Sequence, residues 1–313
     1  MNPEIEKSLA AFNTISLKAL ETKAEMLDRI DNKYIVTGQQ LQPAFAALTE
    51  YFDVLEIDAR RAFQYSTRYF DDVERSGYYD HHQRKRKRSK ARIRRYVDAG
   101  LNFLEVKTNE QRGMTAKRRL RIEKPLKLLD DRCLDFIDSC CQESYDELFE
   151  KNAIPVIVIE YQRITLVAKQ GGERLTIDTH MRFTSETASC AAPAEMFIVE
   201  TKSKRGNGLA DKVMRSLHIQ PTKRVSKYCI SLVVTGQVSR RNGFLPALRR
   251  LRLVDPVVTP AINFHNASDK RTKPSNGSVS DGDAEKRNHN NVTPFPARPA
   301  DLNRARRPAC QSS

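Results

Sequence analysis

Cationic and apolar residues alternate in the stretch Lys90-Ala-Arg92-Ile93-Arg94-Arg-Tyr96, and this kind of alternation decides the fold. Residues two apart in a β-strand project to the same face of the sheet, so Arg92 and Arg94 share one face while Ile93 points to the other. The stretch therefore predicts a strand with one charged face and one apolar face.

Five further segments alternate in the same way. Their charged faces carry Arg29, Asp31 and Lys33; Glu105 and Lys107; Lys117, Arg119 and Arg121; Arg174, Thr176 and Asp178; and Glu200 and Lys202. For any single strand, an ordinary amphipathic sheet with its charges in water is the better interpretation. Over six strands that interpretation is strained, because a solvated face would also use uncharged polar residues. We therefore expect a barrel with its apolar side toward outer helices and its basic side inward, where a multivalent anion such as a phosphate chain relieves the repulsion.

Carboxylates on these faces point to a metal. Arg side chains make fork-like contacts with phosphate oxygens, and Lys side chains act as point charges. A carboxylate among such cations can hold a divalent metal that bridges phosphate oxygens, which makes Glu105, Asp178 and Glu200 candidate ligands.

The whole pattern predicts an α+β protein, an antiparallel β-barrel with flanking helices. Strands are expected at Arg29–Val36, Gln64–Phe70, Lys90–Tyr96, Asn102–Lys107, Lys117–Glu123, Val156–Ala168, Glu173–Asp178, Met196–Lys202 and Ser226–Val234. Helices are expected at Pro3–Met26, Gly38–Phe52, Asp130–Asn152 and Leu209–Ser216. The predicted parts are an N-terminal helix at 1–26, a barrel domain at 27–254 and a disordered tail at 255–313, where Pro, Asn and Ser prevail.

Net charge favours an anionic partner. The 313 residues include 54 Lys and Arg against 39 Asp and Glu, a formal charge of +15. Charge alone does not choose among nucleic acid, an acidic membrane surface and a phosphorylated substrate. The absence of Trp weakens a base-stacking interpretation.

The chain shows no secretory or membrane signal. Its six cysteines form no CxxC pair, which predicts reduced, buried thiols and a cytoplasmic location. We find no signal peptide near Met1 and no apolar stretch of membrane-spanning length, so any membrane association is expected to be peripheral.

A basic run precedes the opening stretch. Nine of the twelve residues in Arg84–Arg95 are basic, which is also typical of a nucleic-acid patch or a localisation signal. Because the run leads directly into the Arg92 and Arg94 strand, we expect its first half, Arg84–Arg88, to form an exposed hairpin approach that steers polyanions inward. A nucleic-acid contact is the alternative for that half alone.

Motifs along the chain are characteristic as an ordered set. They are Arg29-Ile-Asp-Asn-Lys33-Tyr34, Tyr65-Ser-Thr67-Arg-Tyr69-Phe70-Asp71, Lys90-Ala-Arg92-Ile-Arg94-Arg-Tyr96, Phe103-Leu-Glu105-Val-Lys107, Lys117-Arg-Arg119, Tyr161-Gln-Arg163, Arg174-Leu-Thr176-Ile-Asp178, Val199-Glu200-Thr-Lys202 and Ser226-Lys227-Tyr228. In this order they resemble the polyphosphate polymerase domain of the vacuolar transporter chaperone family, within the triphosphate tunnel metalloenzyme superfamily. The resemblance spans about Met26 to Val234, and the architecture is similar to that of the bacterial branch.

The resemblance implies a tunnel of antiparallel strands that binds ATP phosphates and a growing polyphosphate chain. It implies catalytic roles for Lys33, Arg92, Arg94, Lys107, Arg163 and Arg174, and substrate-binding roles for Lys117, Arg119, Arg224, Lys227 and Tyr161. Glu200 matches the metal-binding glutamate of the family, which serves Mn²⁺ or Mg²⁺, whereas Asp31 stands where the superfamily favours glutamate. The implied reaction moves the γ-phosphoryl group of ATP to a phosphate or polyphosphate end and releases ADP.

The implied partners are ATP and polyphosphate, with a separate membrane protein at the inner face of the membrane as a further one. A phosphohydrolase of the same superfamily, a non-catalytic polyphosphate-binding module and a nucleic-acid-binding protein are the alternatives. Basic rather than glutamate-rich inward faces favour polymer handling over hydrolysis, and the inward alternation speaks against nucleic acid. No oligomeric state is predicted.

Overall fold

The computed structural model describes residues 3–23, 30–109, 115–147, 149 and 152–261. Its helices are α1 (Pro3–Ala10), α2 (Leu17–Lys23), α3 (Gly38–Leu48), α4 (Ser76–Gln83), α5 (Asp131–Tyr145), α6 (Leu209–Ser216), α7 (Lys227–Val234) and α8 (Leu245–Arg250). Its strands are β1 (Thr14–Ile15), β2 (Ile30–Thr37), β3 (Phe52–Leu55), β4 (Ala62–Asp71), β5 (Ser89–Tyr96), β6 (Leu101–Asn109), β7 (Thr115–Ile122), β8 (Ile154–Ala168), β9 (Arg174–Thr184), β10 (Ala188–Ala191), β11 (Met196–Ser203) and β12 (Val258–Pro260).

One long, strongly curved antiparallel sheet runs in the order β2-β11-β9-β8-β4-β5-β6-β7. The short strand β3 pairs with the end of β8 and, in parallel, with β1, while β10 and β12 extend from β9. Curvature brings the two ends of the sheet together. The ammonium of Lys107 on β6 is repelled by Lys33 on β2, although five strands lie between these two in the sheet order.

The predicted antiparallel α+β architecture is confirmed, but its closure differs from a hydrogen-bonded barrel. In the described part of the chain no ladder joins β2 to β7, so these two strands are the edges of the curved sheet. Both edges carry inward cations, Lys33 on β2 and Lys117 on β7.

Over most of the sheet the apolar side chains point to its convex side, where helices cover them as predicted. Helices α1, α3 and α6 pack on β2, β11, β9 and β8 through a fully buried cluster that includes Phe45, Met214 and Ile177. Helix α5 covers β5, β6 and β7, with Ile137 among the buried residues that contact Ile93. The opposite, concave side is therefore the charged one.

Segment 226–234 was expected to be a strand, and this prediction is wrong because the segment forms helix α7. Ser226 accepts a hydrogen bond from the backbone N–H of Cys229 and so caps the helix start. The residues Tyr228–Val234 are all buried, because α7 fills one end of the concave side, where Tyr228 packs on Tyr69 with ring centroids 5.0 Å apart. A short, uniformly apolar run does not distinguish a buried helix from a buried strand.

The single N-terminal helix expected at Pro3–Met26 is also wrong. The described segment 3–23 forms α1, then β1 paired in parallel with β3, then α2. Ser16 begins the second helix, since its hydroxyl accepts a hydrogen bond from the backbone N–H of Ala19. Residues 24–29, including Arg29 of the first predicted strand, lie outside the described part.

The remaining predicted elements are present with shifted ends, and α6 has the predicted bounds. Helices α3 and α5 end earlier than expected, the latter because Asp146 adopts a left-handed backbone with φ 57°. The sequence did not indicate β1, β3, β10, β12, α4 or α8. Within the predicted tail, Val258–Pro260 form β12, which pairs with β10, and residues 262–313 lie outside the described part.

Two smaller expectations concern cysteines and membranes. The described cysteines (Cys133, Cys140, Cys141, Cys190 and Cys229) are all free and buried, as predicted, and Cys310 lies outside the described part. Over the described residues, no helix combines the length and the hydrophobicity that crossing a bilayer requires.

Asp211 on α6 fixes the register of the two strands that carry much of the concave charge. Its buried carboxylate accepts hydrogen bonds from Tyr34 Oη on β2 at 2.7 Å, from Asn32 Nδ2 on β2 at 3.0 Å and from Thr201 Oγ1 on β11 at 2.6 Å. These convex-side groups alternate with concave-side groups along the strands. Asp211 therefore holds Lys33 directly opposite Glu200 across the ladder.

Replacing Asp211 with Ala should destabilise the protein by roughly 3 kcal/mol or more, because several buried donors lose their acceptor. Asp211→Asn should cost less, since the amide oxygen still accepts. Urea unfolding of both variants, beside Asp135→Ala on the exposed face of α5, measures the difference. Equal stability of Asp211→Ala and Asp135→Ala would show that the buried network does not hold the strands.

Candidate functional site

The concave side of the sheet carries the charged set that the alternation predicted. Its cations are Lys33, Lys90, Arg92, Arg94, Lys107, Lys117, Arg119, Arg163, Arg174, Lys202 and, from the start of α7, Lys227. Its carboxylates are Asp31, Glu105, Asp178 and Glu200. Cations predominate, so the pairing of each carboxylate decides how this charge is held.

Glu105 on β6 holds three cations of the neighbouring strands. Its carboxylate, 2% exposed, lies 2.6 Å from Lys117 Nζ, 2.7 Å from Arg92 Nη2 and 3.5 Å from Arg94 Nη1. Burial alone would raise the pKa of Glu105, but Arg94, Lys117 and Arg92 hold it well below its usual range. Glu105 is therefore an ionised counter-charge for three inward cations.

Asp178 on β9 plays the same part on the other side of the groove. Arg163 on β8 donates two hydrogen bonds to its carboxylate, at 2.6 and 2.8 Å, and Lys227 donates a third at 2.5 Å. Burial opposes ionisation, yet the two cations lower the pKa of Asp178 to about 2. The bidentate contact fixes the plane of the Arg163 guanidinium.

Tyrosines form the floor beneath these cations. Tyr65 and Tyr161 stack with ring centroids 5.3 Å apart, and the guanidinium of Arg163 lies 5.3 Å from the centre of each ring. The ammonium of Lys227 lies 5.2 Å from the centre of the Tyr161 ring. Such cation–π contacts hold the cations in place without neutralising them.

Glu200 on β11 lies among cations and beside a second carboxylate. Lys202 Nζ contacts Glu200 Oε1 and also lies 3.1 Å from Asp31 Oδ2 on β2, while Lys33 Nζ is 4.0 Å from the same Glu200 oxygen. Burial would raise the pKa of Glu200, and the lysines hold it well below its usual range. Glu200 is therefore ionised at neutral pH.

The chemistry of these donors fits a magnesium or manganese ion that arrives with phosphates. Such ions prefer oxygen ligands and need only one or two carboxylates when phosphate oxygens and water complete the shell. Glu200 and Asp31 supply two carboxylates on paired strands, and the ammonium of Lys202 marks a cation position between them. Over the described residues, no group of three or more His, Cys, Asp or Glu side chains forms a self-sufficient metal cage.

Burial, together with the crowding of like charges, lowers the pKa of two lysines in the groove. Partial burial in the groove, together with repulsion from Arg94 and Arg92, lowers the pKa of Lys117 to about 7 although Glu105 opposes the change. Partial burial of Lys107 in the groove, together with the charge of Lys33, lowers its pKa to about 8. An added polyanion would reverse both shifts.

His81 at the end of α4 lies in the same field. Its Nδ1 is 3.1 Å from Lys90 Nζ, and the ring stacks on Phe244 with centroids 6.0 Å apart. Burial, with the charges of Lys90 and Arg88, lowers the pKa of His81 to about 2. His81 is therefore neutral where the groove meets its apolar end.

A comparison of the sequence with models of protein families assigns the chain to a family. The sequence model described as the VTC domain matches residues 28–235, about two thirds of the chain. The chain belongs to the VTC domain family. The matched range contains all the concave-side cations and carboxylates named above.

Solved structures also resemble this VTC domain, at low identity. A protein of Pyrococcus horikoshii OT3 aligns with a TM-score of 0.37 and 10% identity, covering 63% of this chain and 96% of that one. A conserved hypothetical protein of Pyrococcus furiosus aligns with a TM-score of 0.36 and 12% identity, covering 63% of this chain and 97% of that one. A putative adenylyl cyclase of Hippeastrum is described as having a dominant triphosphatase activity. It aligns with a TM-score of 0.37 and 13% identity, covering 68% of this chain and 99% of that one. No curated protein matches the chain in sequence.

The predicted site residues of the VTC domain divide into three groups. The structure brings together Lys33, Arg92, Arg94, Lys107, Lys117, Arg163, Lys227, Tyr161 and Glu200 through the contacts described. Arg174 stands opposite Lys202 in the ladder, and Arg119 lies 5.6 Å from the centre of the Phe103 ring on the same side. Arg224 adopts a left-handed backbone with φ 58°, and its guanidinium lies against Gly243 beside His82, at the edge of the groove.

Two functional groups were not assigned from the sequence. Lys90 and Lys202 belong to the alternating pattern, and spacing alone did not show that they contact His81 and Glu200. Glu105 and Asp178, candidate metal ligands in the sequence, are paired with arginines that face them across the ladder.

The basic run 84–88 also differs from its prediction as a hairpin approach. It connects helix α4 to strand β5, and some of its charges are paired, Lys85 with Asp80 at 2.7 Å and Lys87 with Glu147 at 2.5 Å. Two other residues of the run, Arg84 and Arg86, are exposed.

Glu105→Gln should destabilise the VTC domain by about 3–5 kcal/mol, because it leaves three inward cations without their shared counter-charge. A polyanion such as tripolyphosphate should compensate, so it should raise the melting temperature of the variant more than that of the wild type. Thermal unfolding with and without tripolyphosphate measures both effects.

Glu143→Gln is the matched control, since Glu143 is 61% exposed and pairs with Arg118 at 3.0 Å on the surface. Its loss should change stability by less than about 1 kcal/mol. A Glu105→Gln protein as stable as this control would contradict the counter-charge role.

Proposed function

We propose that this VTC domain is a metal-dependent polyphosphate polymerase, which transfers the γ-phosphoryl group of ATP to the end of a phosphate or polyphosphate chain and releases ADP. The observation that carries the proposal is the excess of inward cations over carboxylates, spread across seven strands and the start of α7. A single triphosphate has too few charges to neutralise such an excess, whereas a longer phosphate chain extends through it. The family resemblance to polyphosphate polymerases agrees with this choice.

The reaction needs no nucleophilic side chain, because the attacking group is a phosphate oxygen. The protein has to bring donor and acceptor phosphates together and to balance the charge that spreads over the transferred group. Arg92, Arg94 and Arg163 are suited to this work, because Glu105, Asp178 and the tyrosine floor hold their guanidinium groups before substrate binds. Held in advance, these groups need little reorganisation in the transition state.

Lysines complete the phosphate contacts. Lys33, Lys107 and Lys117 come from the two ends of the curved sheet and face the groove from opposite walls. Their flexible side chains can follow a chain that advances, which fixed guanidinium forks cannot do as easily. Glu200, with Asp31 beside it, would hold Mg²⁺ or Mn²⁺, which would supply positive charge to offset that of the phosphates.

The deciding experiment is incubation of the full chain with ATP and Mn²⁺, followed by assay of ADP and of phosphate chain length on gels. The proposal expects ADP and chains longer than three phosphates. Free phosphate with ADP or AMP would instead identify a phosphohydrolase, and bound polyphosphate without turnover would identify a binding module. Either result overturns the polymerase assignment.

Glu200→Gln should lower turnover by on the order of 100-fold or more while tripolyphosphate binding is retained, since the amide keeps the size of the side chain but holds a metal poorly. ADP release and tripolyphosphate titration by calorimetry measure the two quantities. Glu186→Gln makes the same change on the exposed turn after β9 and should leave both unchanged. Full activity of Glu200→Gln would remove Glu200 from the proposed site.

Tripolyphosphate binding should weaken as the pH rises through about 7 and about 8, the lowered pKa values of Lys117 and Lys107. The sign follows because a bound polyanion raises these pKa values. Binding therefore takes up protons. The part of the affinity that these two lysines contribute is complete below their free-state pKa values and decreases as the pH rises from those values towards the raised pKa values of the complex. Calorimetry in buffers of different ionisation enthalpy measures the uptake.

Lys117→Arg isolates this effect, because arginine stays protonated throughout the range. The variant should take up fewer protons than the wild type in the same buffers, while the protonation of tripolyphosphate itself is common to both. Identical proton uptake by the two proteins would show that Lys117 does not titrate on binding.

A further inference from the structure

Lys202 occupies an unusual place for a lysine in a cationic groove. Its side chain is only 10% exposed, and its ammonium contacts Glu200 on its own strand and Asp31 on the paired strand, the latter at 3.1 Å. The ladder places Lys202 opposite Asp31 on one side and opposite Arg174 on the other. Lys202 is thus held by Glu200 and Asp31, the two carboxylates whose chemistry fits a metal.

An ammonium between two carboxylates stands where a divalent cation would stand. Two cations cannot share this space, because like charges in direct proximity repel strongly at the effective dielectric constant of a protein groove. A metal that binds Glu200 and Asp31 must therefore displace Lys202, whose four-carbon stem allows the ammonium to swing away.

The displaced ammonium needs a new anionic partner. Arg174 faces Lys202 across the ladder, and Lys33 lies 4.0 Å from the same Glu200 oxygen, so these two cations disfavour an ammonium that has left the carboxylates. Phosphate oxygens that enter with the metal supply the partner. Metal alone does not supply it, so binding of the metal and binding of the phosphates should strengthen each other.

We propose that Lys202 is a built-in cation that closes the metal position between Glu200 and Asp31 until a phosphate chain arrives. The inference rests on the proposed function, because it takes Glu200 as the metal-binding carboxylate. It assigns Lys202 as a positioning residue that couples metal binding to phosphate binding. In the resting protein the three groups form an ion triad, and in the loaded protein Lys202 becomes a phosphate ligand.

The test is a titration of the full chain with Mn²⁺ in the absence of nucleotide and phosphate. The electron paramagnetic resonance signal of free Mn²⁺ measures how much of the ion is bound. Lys202→Met should bind Mn²⁺ at least about tenfold more tightly than the wild type, since the competing charge is gone. The double variant Lys202→Met with Glu200→Gln should lose this gain. Thermal unfolding checks that each variant is folded, and Lys202→Gln repeats the test with a polar side chain.

Lys33→Met is the matched control for charge alone. Lys33 lies 4.0 Å from the same Glu200 oxygen but does not stand between the carboxylates. Equal tightening by Lys33→Met and Lys202→Met would mean that only net charge matters, and no tightening by Lys202→Met or Lys202→Gln would mean that Lys202 does not block the site. Either result overturns the proposal.

The titration is independent of the reaction. Tightening in Lys202→Met by a protein that makes no polyphosphate from ATP would leave the role of Lys202 standing and reject only the polymerase. Polyphosphate synthesis by the wild type, with no gain in Mn²⁺ affinity in Lys202→Met, would keep the polymerase assignment and reject the role of Lys202.

Discussion

Repulsion among cations on the concave side is the constraint on which the rest of the structure depends. Without counter-charges, so many inward Lys and Arg side chains would drive the curved sheet open. Glu105 and Asp178 oppose this by each binding cations from adjacent strands, and the short contacts follow directly from the ladder register. A shift of one residue in register would turn these carboxylates to the convex side and leave the cations unpaired.

The stability that permits such a face comes from the convex side. Buried apolar clusters under α1, α3, α6 and α5 anchor the sheet, and the hydrogen bonds to Asp211 hold β2 and β11 in register. The groove itself contributes ion pairs, whose net effect on stability is small once desolvation is counted. Function and stability are thus placed on opposite faces of the same strands.

Internal carboxylates also suit a site that must release its product. In our proposal a phosphate chain shares these cations with Glu105 and Asp178, which stay in contact with their arginines. Because the arginines remain paired, each phosphate contact is weaker than a contact with an unpaired arginine. A polymerase needs this moderation, because a chain held too firmly cannot advance after each addition.

Much of the site could be predicted from the sequence, because a strand has a period of two whatever surrounds it. The stretch at Lys90–Tyr96 and its five counterparts determined which side chains share a face, and the ordered motifs determined the family. Tertiary structure decided the rest. It made 226–234 a helix, because a short apolar run packs equally well as helix or strand until its neighbours are known. It broke the N-terminal segment into α1, β1 and α2, and it paired Glu105 and Asp178 with arginines of the adjacent strands. Periodicity specifies the direction of a side chain, whereas the curvature and register of the sheet specify what that side chain meets.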